Sequence, residues 1–542
     1  MSILTKHTAV LITVITLGFF VIRRWLRQGT GPSLPPGPKP LPLVGNIFDL
    51  PPENGPEYRH WLTFKDTYGP VSSVTVMGRT IVILHDQQAA KQLLSQMSSK
   101  TSGRPRLEFA DMCGFSELPV CHQYDDALRR CRKLMHQSIG TEGNASHCHE
   151  TMEMETQRFL LRAMDTPENL WIHFRTLTSA IILKETYGYS IDVEQKDPMV
   201  QLIEKYMTNF SKAYTPKAWL IDMIPHLRHL PDILPGMSFK KTAQRMRMTS
   251  LRTANVPYAF VQHQIKVGLD QPSFTSSFIQ QHGKSGPDSI EEQDIKNSAL
   301  GLFAGGADTT IATLKAFALA MVKFPDVQRK AQQEIDRVVG PDRLPKYKDR
   351  ASLPYVDDIV SEALRWSPVG SLGIPRTTSE ELTYDGHLIP KGSIILPNLW
   401  WFTHDPKDYS DPDSFRPERY RPPFNEPDPS VVFGYGLRAC PGRFFAHASL
   451  FVNIAQMLSV FDFSKATDEH GVEKEPRLEV VAGLVSYPKD YPFKMRPRDD
   501  GKADLVRKVN AGLKQKVNTA RLGEMSDAGY FKECLRSDKL DA

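Results

Sequence analysis

Phe433-Gly-Tyr-Gly-Leu-Arg-Ala-Cys440-Pro-Gly-Arg-Phe-Phe-Ala446 stands at the head of a long apolar stretch. Glycines at 434, 436 and 442 allow a tight loop whose backbone can approach a flat cofactor closely. The N–H groups of such a loop, with the N-terminus of a helix beginning near Gly442, favour a negative sulfur on Cys440. Arg438 is placed to pair with a cofactor carboxylate, and Phe433 to shield the sulfur from water. A single cysteine usually reads as a small buried hydrophobe, and Cys113, Cys121, Cys131, Cys148 and Cys534 read that way. Cys440 does not, because the surrounding FxxGxRxCxG pattern fixes five positions in ten.

That pattern resembles the haem-binding loop of the cytochrome P450 family. The resemblance implies haem b with its iron on the Cys440 thiolate, held by Phe433, Gly436, Arg438 and Gly442. A thiolate ligand pushes electron density onto the iron and favours O–O cleavage. Three further motifs follow the family's order. Gly305-Gly-Ala-Asp308-Thr309-Thr310 lies inside a long apolar helical pattern. Mid-helix glycines cost about 1 kcal/mol each relative to alanine, so they need a reason. Close approach of a macrocycle with local helix widening supplies one, and a kink in a packed helix supplies another. In the family, the acid–alcohol pair Asp308 and Thr309 delivers protons for oxygen activation.

Glu362-Ala-Leu-Arg365 places opposite charges at i and i+3, and by itself reads as a common helix-surface pair. With Arg419, in Phe415-Arg-Pro-Glu-Arg419, it resembles the family's buried Glu–Arg–Arg lock that braces the cysteine loop. Arg132 resembles the arginine of a WxxxR helix that binds haem propionates, but Leu128 stands where tryptophan is usual. Arg376, in Gly373-Ile-Pro-Arg376, sits where the family often places another propionate partner. Arg129, Arg130 and Lys133 are candidate contacts for an acidic redox partner, or simply a solvated charge run.

Ahead of all this, residues 1–22 carry only Lys6 and His7 as ionisable side chains. At ~1.5 Å per residue that stretch reaches ~33 Å, enough to span a bilayer. Arg23, Arg24 and Arg27 follow it, where a stop-transfer flank belongs, and no Ala-x-Ala cleavage site does. We read 1–27 as a transmembrane anchor, 28–46 as a proline-rich hinge, 47–498 as the catalytic domain and 499–542 as a charged tail outside the main body. The expected fold is mainly α with small β-sheets, the cytochrome P450 fold, preceded by one N-terminal transmembrane helix. Helical patterns occupy 124–137, 150–162, 198–213, 291–322, 325–339, 355–366 and 442–461; strand-like runs occupy 71–77, 80–84, 382–388 and 393–396. Residues 219–236 mix apolar side chains with prolines, which suits an apolar loop beside a membrane or ordinary core packing equally.

A net charge of +5 over 542 residues gives no nucleic-acid signal. The absence of any CxxC pair argues against a zinc ribbon or disulfide framework. No GxGxxG follows a strand, so electrons must come from a separate protein, most simply NADPH-cytochrome P450 reductase. The expected location is the endoplasmic reticulum membrane, single-pass, with the catalytic domain cytosolic; the sequons at Asn144 and Asn209 would then stay unglycosylated.

The implied function is a haem-thiolate monooxygenase that inserts one oxygen atom from dioxygen into a lipophilic small molecule. Phrases such as the cysteine loop and Ala-Met-Val-Lys-Phe-Pro-Asp-Val-Gln-Arg-Lys330 are similar to microsomal fungal members, the O-methylsterigmatocystin oxidoreductase-like group. That suggests terpenoid, polyketide or indole secondary metabolism. A haem-thiolate isomerase or dehydratase and a non-catalytic haem protein are the alternatives; neither needs the Asp308–Thr309 pair. By analogy, the substrate pocket is expected to be lined by Phe109, Phe115, Leu302, Phe303, 369–374 and 482–485.

Overall fold

The chain forms twelve helices of nine residues or more among the residues described by the computed structural model, namely 32–52, 55–191, 197–215, 218–282, 289–481 and 483–513. They are α1 (Glu57–Tyr68), α2 (Asp126–Ile139), α3 (His149–Asp165), α4 (Leu170–Tyr187), α5 (Pro198–Ala213), α6 (Phe239–Lys266), α7 (Phe274–His282), α8 (Ile290–Lys323), α9 (Pro325–Val339), α10 (Pro354–Trp366), α11 (Arg443–Val460) and α12 (Asp500–Ala511). The described chain is mainly helical with small sheets, as the sequence implied.

The long helix α8 organises the core. Ser289 caps it by accepting from the Glu292 N–H at 3.2 Å, and Glu291 and Glu292 lie in its positive first turn. Its interior is apolar on every side and buried against α4, α2, α10 and α11. It ends at Phe324 because Pro325, the first residue of α9, disfavours helical backbone in the residue before it. Helix α4 escapes periodicity for a similar reason: it is buried nearly all round. Helix α6 carries Pro257 in its interior, a residue that ordinarily marks a helix end.

Strands β1 (Val71–Val76) and β2 (Arg79–Leu84), within the expected strand-like runs 71–77 and 80–84 but for Arg79, pair antiparallel around Met77 and Gly78, both at positive φ. The β-like stretch at 382–388 is itself a hairpin, β4 (Leu382–Tyr384) with β5 (His387–Ile389), turned at Asp385 and Gly386. Strand β6 (Ile394–Pro397) lies parallel to β2, and β3 (Arg376–Thr377) pairs with β6, completing the order β1-β2-β6-β3. This sheet carries Arg376 to the interior.

The proline-rich segment does not stand free over its described part. Ser73 donates to the carbonyls of Pro36 (2.8 Å, backbone) and Pro35 (2.6 Å, side chain), and the Asn46 N–H donates to Thr75 O at 2.7 Å. It is therefore laid along β1. The anchor expected at 1–27 lies outside the described residues; among those residues no helix is long and apolar enough to cross a membrane.

The tail expected outside the body departs from that expectation over its first part. Asp499 caps α12 through the Lys502 N–H at 2.8 Å, Val506 is fully buried, and Asn510 donates to Gln157 O on α3 at 2.8 Å. High charge hid an amphipathic helix whose one apolar stripe is short. Ending the chain at Asp499 is expected to lower the thermal midpoint, with ~2 kcal/mol lost from unburied Val506 and its neighbours. A thermal melt of full and shortened chains checks this. Residues 514–542 lie outside the described residues.

Candidate active site

The loop before α11 is folded back on itself, with the Cys440 N–H donating to Phe433 O at 2.8 Å. Gly436 makes the loop possible: its φ is +52°, and a Cβ there would lie 2.5 Å from Leu94 O and 2.6 Å from Ser98 Oγ. Gly436 thus serves close packing of the loop onto the segment around Leu94 and Ser98. The ring of Phe433 lies 5.2 Å from that of His447. Cys440 has open surface although protein surrounds it on all sides, so its sulfur faces interior space. Burial pushes its thiol up; the Gly442 N–H and the charges of Arg132 and Arg443 pull it down.

Around this loop four guanidinium groups converge. Arg132 on α2 donates to Ala439 O at 2.8 Å. Arg438 donates to Ser102 O at 2.9 and 2.7 Å and to Pro119 O at 3.3 Å. Arg376 donates to Leu94 O at 3.0 Å and to Tyr435 O. Arg104 donates to Val120 O (2.7 Å), Ile374 O (2.8 Å) and Pro375 O (2.7 Å). None of the four makes an ion pair with a carboxylate among the described residues. Burial and mutual repulsion pull Arg104 and Arg438 down to about 9 and Arg376 to about 10. Burying four like charges together is costly unless anions join them. Two carboxylates of a flat cofactor, with its metal on Cys440, fit this donor set.

Across the interior stands the middle of α8. A Cβ at Gly305 would meet nothing within 4 Å, whereas one at Gly306 would lie 2.7 Å from Ile182 Cδ1. Only Gly305 therefore opens the helix to the interior; Gly306 lets α4 approach. The helix runs on as α-helix without the expected widening, and Thr309 Oγ1 donates to Gly305 O at 2.8 Å. The Asp308 carboxyl is pushed up by burial, opposed by a hydrogen bond from Tyr487 and the charge of Arg175.

The lock is assembled in full. Glu362, Arg365 and Arg419 are all 0% exposed. Arg365 Nε and Nη2 donate to the two Glu362 oxygens at 2.8 and 2.9 Å, and Arg419 Nε donates to Glu362 Oε1 at 3.0 Å. Tyr420 Oη (2.9 Å) and the Arg416 N–H (2.8 Å) also donate to Glu362.

Other expectations shift. Phe109 stacks on Trp219 with ring centroids 3.5 Å apart, and Phe115 packs among Tyr206, Phe210 and Tyr214. Both are fully buried, as is Phe303, and Leu302 lines a small cleft with Ile182 and Phe445. Ala482 lies outside the described residues. Arg130 is committed to Asp294 of α8 and Arg129 to Asp126, which leaves Lys133 as the member of that charge run without an ion pair among the described residues. Nothing in the local sequence marks Arg104, one of two arginines in Gly103-Arg-Pro-Arg106, or Tyr487 as part of the site.

Comparison with known proteins agrees with this geometry. A family model described as Cytochrome P450 matches residues 35–495. The chain is 46% identical to the multifunctional cytochrome P450 monooxygenase af510 of Aspergillus fumigatus, over 90% of this chain and 93% of that protein. It is 44% identical to the cytochrome P450 monooxygenase CLM2 of Gibberella zeae, over 92% and 96%. It is 36% identical to the O-methylsterigmatocystin oxidoreductase of Aspergillus flavus, over 91% and 93%.

Proposed function

The chain belongs to the cytochrome P450 family and is a haem monooxygenase with haem b on a cysteine thiolate; from that premise we propose that Cys440 is the ligand, that Arg104, Arg132, Arg376 and Arg438 hold the propionates, and that Asp308 and Thr309 handle the protons. The observation that carries this reading is the cluster of four guanidinium groups around the Cys440 loop, three buried and Arg132 half-buried, with no carboxylate partner among the described residues. The Gly442 N–H reaches the Cys440 sulfur, Phe433 O accepts from the Cys440 N–H at 2.8 Å, and Gly436 fixes the loop. Haem on a thiolate supplies dioxygen binding and O–O cleavage.

The chain's own groups do the rest. Thr309 Oγ, now given to Gly305 O, can rotate about χ1 to hold a water in the interior without a change in the helix. Asp308, pushed up by burial and reached by Tyr487, is suited to take up and pass on a proton. Thr309→Ala is expected to keep haem and reduction by NADPH while most electrons emerge as hydrogen peroxide. A general-acid contribution of ~10²–10⁴ makes Asp308→Asn slow product formation by at least ~100-fold. Measuring NADPH, peroxide and product together checks both; an isomerase would leave all three unmoved by Thr309→Ala.

Electrons come from a reductase, which we take to be NADPH-cytochrome P450 reductase on the endoplasmic reticulum membrane. Support for a membrane-facing side comes from Leu220, Met223, Ile224 and Ile233, all exposed, the last at 91%. Asp222, within that stretch, feels the charge of Arg79 at the β1–β2 turn, where Met77 is also exposed. Met77 in turn donates to Val44 O at 3.3 Å, beside exposed Leu43. These apolar groups thus share one side with the segment that leads back to the proposed anchor at 1–27. A lipophilic, uncharged substrate of fungal secondary metabolism suits such a placement, since it would partition into the same bilayer. Co-expression with a reductase in a host making candidate terpenoid, polyketide and indole scaffolds, read by product mass, tests the assignment. The carbon monoxide spectrum of the reduced protein tests the thiolate separately.

A further inference from the structure

Outside the haem chamber, one cluster of metal-ligating side chains has no part in the reaction. His147 and Cys148 lie in the turn before α3, and Glu185 lies near the end of α4. His147 Nε2 is 3.4 Å from Cys148 Sγ and 3.5 Å from Glu185 Oε2, and the three donor atoms all lie within 4.8 Å of one another. The other ring nitrogen, Nδ1, is 2.7 Å from Asn144 O. A carbonyl only accepts, so Nδ1 carries the proton and Nε2 of the neutral ring is left as a bare lone pair. This is the arrangement in which metal-binding imidazoles are held: one nitrogen fixed by a carbonyl, the other free to ligate.

The lone pair converges with a thiol and a carboxylate, a donor set that suits a borderline cation. Zinc takes nitrogen, sulfur and oxygen together, whereas magnesium and calcium select oxygen. Beside the three donors lies a cleft of about 10 Å³, walled by Ser138, Ile139, Ile182, Thr186 and Phe445. That is the room of a single water-sized species, enough for the fourth position of a tetrahedral ion.

We propose that His147, Cys148 and Glu185 form a zinc-class metal site whose fourth ligand is water. Binding converts the Cys148 thiol to a thiolate, the sulfur–hydrogen bond giving way to a sulfur–zinc bond and the proton passing to buffer. The two negative ligands then balance the ion's charge. A bound ion ties the start of α3 to the end of α4. It also lies behind Ile139, whose Cδ1 is 3.5 Å from the position of a Cβ at Gly442, and so backs the cysteine loop from one side.

The experiment uses the full-length holoenzyme, cleared of loose metal by chelation. Zinc is then titrated in competition with a chromophoric chelator, and calorimetry in buffers of different ionisation enthalpy counts the protons released. Expected are one zinc per chain and one proton released per zinc, with affinity at least ~10-fold weaker in Cys148→Ser and His147→Ala. The reduced carbon monoxide spectrum should stay the same in both variants. His147 is 54% exposed, so its replacement is tolerated; should Cys148→Ser fail to fold, His147→Ala and Glu185→Gln decide the matter. No zinc bound, no proton released, or undiminished binding in the variants overturns the proposal, the last by assigning the metal to other surface groups.

Discussion

Cys440→Ser is expected to lose the thiolate signature of the reduced carbon monoxide complex and all measurable monooxygenase turnover, while most of the fold persists. The argument turns on what the loop can and cannot supply. The Gly442 N–H and the charges of Arg132 and Arg443 favour an anion at position 440. Yet burial outweighs them, and the thiol is held above its ordinary value until a metal takes the proton's place. A serine hydroxyl starts several units higher still, so the same surroundings would leave it protonated and without a strong donor for iron. The neighbouring hydrogen bonds do not use the sulfur: the Cys440 N–H reaches Phe433 O, and Arg132 reaches Ala439 O. The loop should therefore keep its shape. Cys113, Cys131 and Cys148 are buried with their thiols pushed up, and serine at Cys113 or Cys131 should leave the spectrum unchanged. A Cys440→Ser protein with unaltered spectrum and turnover would remove the basis for every role assigned above.

The parts of this site that could be read from the chain are those whose partners lie close in sequence or fall in a fixed pattern. The cysteine loop, the Asp308–Thr309 pair and the Glu362–Arg365 step are of that kind. Arg104 is not, because its acceptors Ile374 O and Pro375 O are 270 and 271 residues away and are brought to it only by the folding of the segment before β3. Tyr487 likewise meets Asp308 only because the short strand Tyr487–Pro488 passes α8. The two glycines of α8 illustrate a different limit. Sequence reading gave both one purpose, but adjacent helix residues point ~100° apart. Gly305 faces the interior and Gly306 faces Ile182, so one serves the site and the other serves packing. In the fold, α4 was hidden by uniform burial and α6 by an interior proline; both obey tertiary packing rather than local pattern.

Glu362→Ala should leave no stable holoprotein, with a loss of ~3–5 kcal/mol expected from breaking a buried ion pair on one side only. Glu362 gathers donors from two arginines, the Arg416 backbone and Tyr420, all within 3.0 Å. The two arginines do not depend on it equally. Arg419 also pairs with Glu426, whereas Arg365 has only the carbonyls of Thr403 and Ser414 and the face of Tyr409 besides. Removing Glu362 therefore strands Arg365 at 0% exposure with no counter-charge. Glu426→Gln makes the discriminating comparison. It keeps a neutral hydrogen-bonding side chain beside Arg419, leaves Arg419 its bond to Glu362, and should cost well under half as much. The readouts are haem-bound protein per cell, from the carbon monoxide spectrum, and the thermal midpoint of whatever is recovered. Equal losses in the two variants would mean that the network acts as one diffuse charge cluster. The ordered loss expected here instead makes Glu362 the anion that matters most to the segment leading to the cysteine loop, since the Arg416 N–H and Tyr420 bond it directly and Ser414 O accepts from the two arginines it holds.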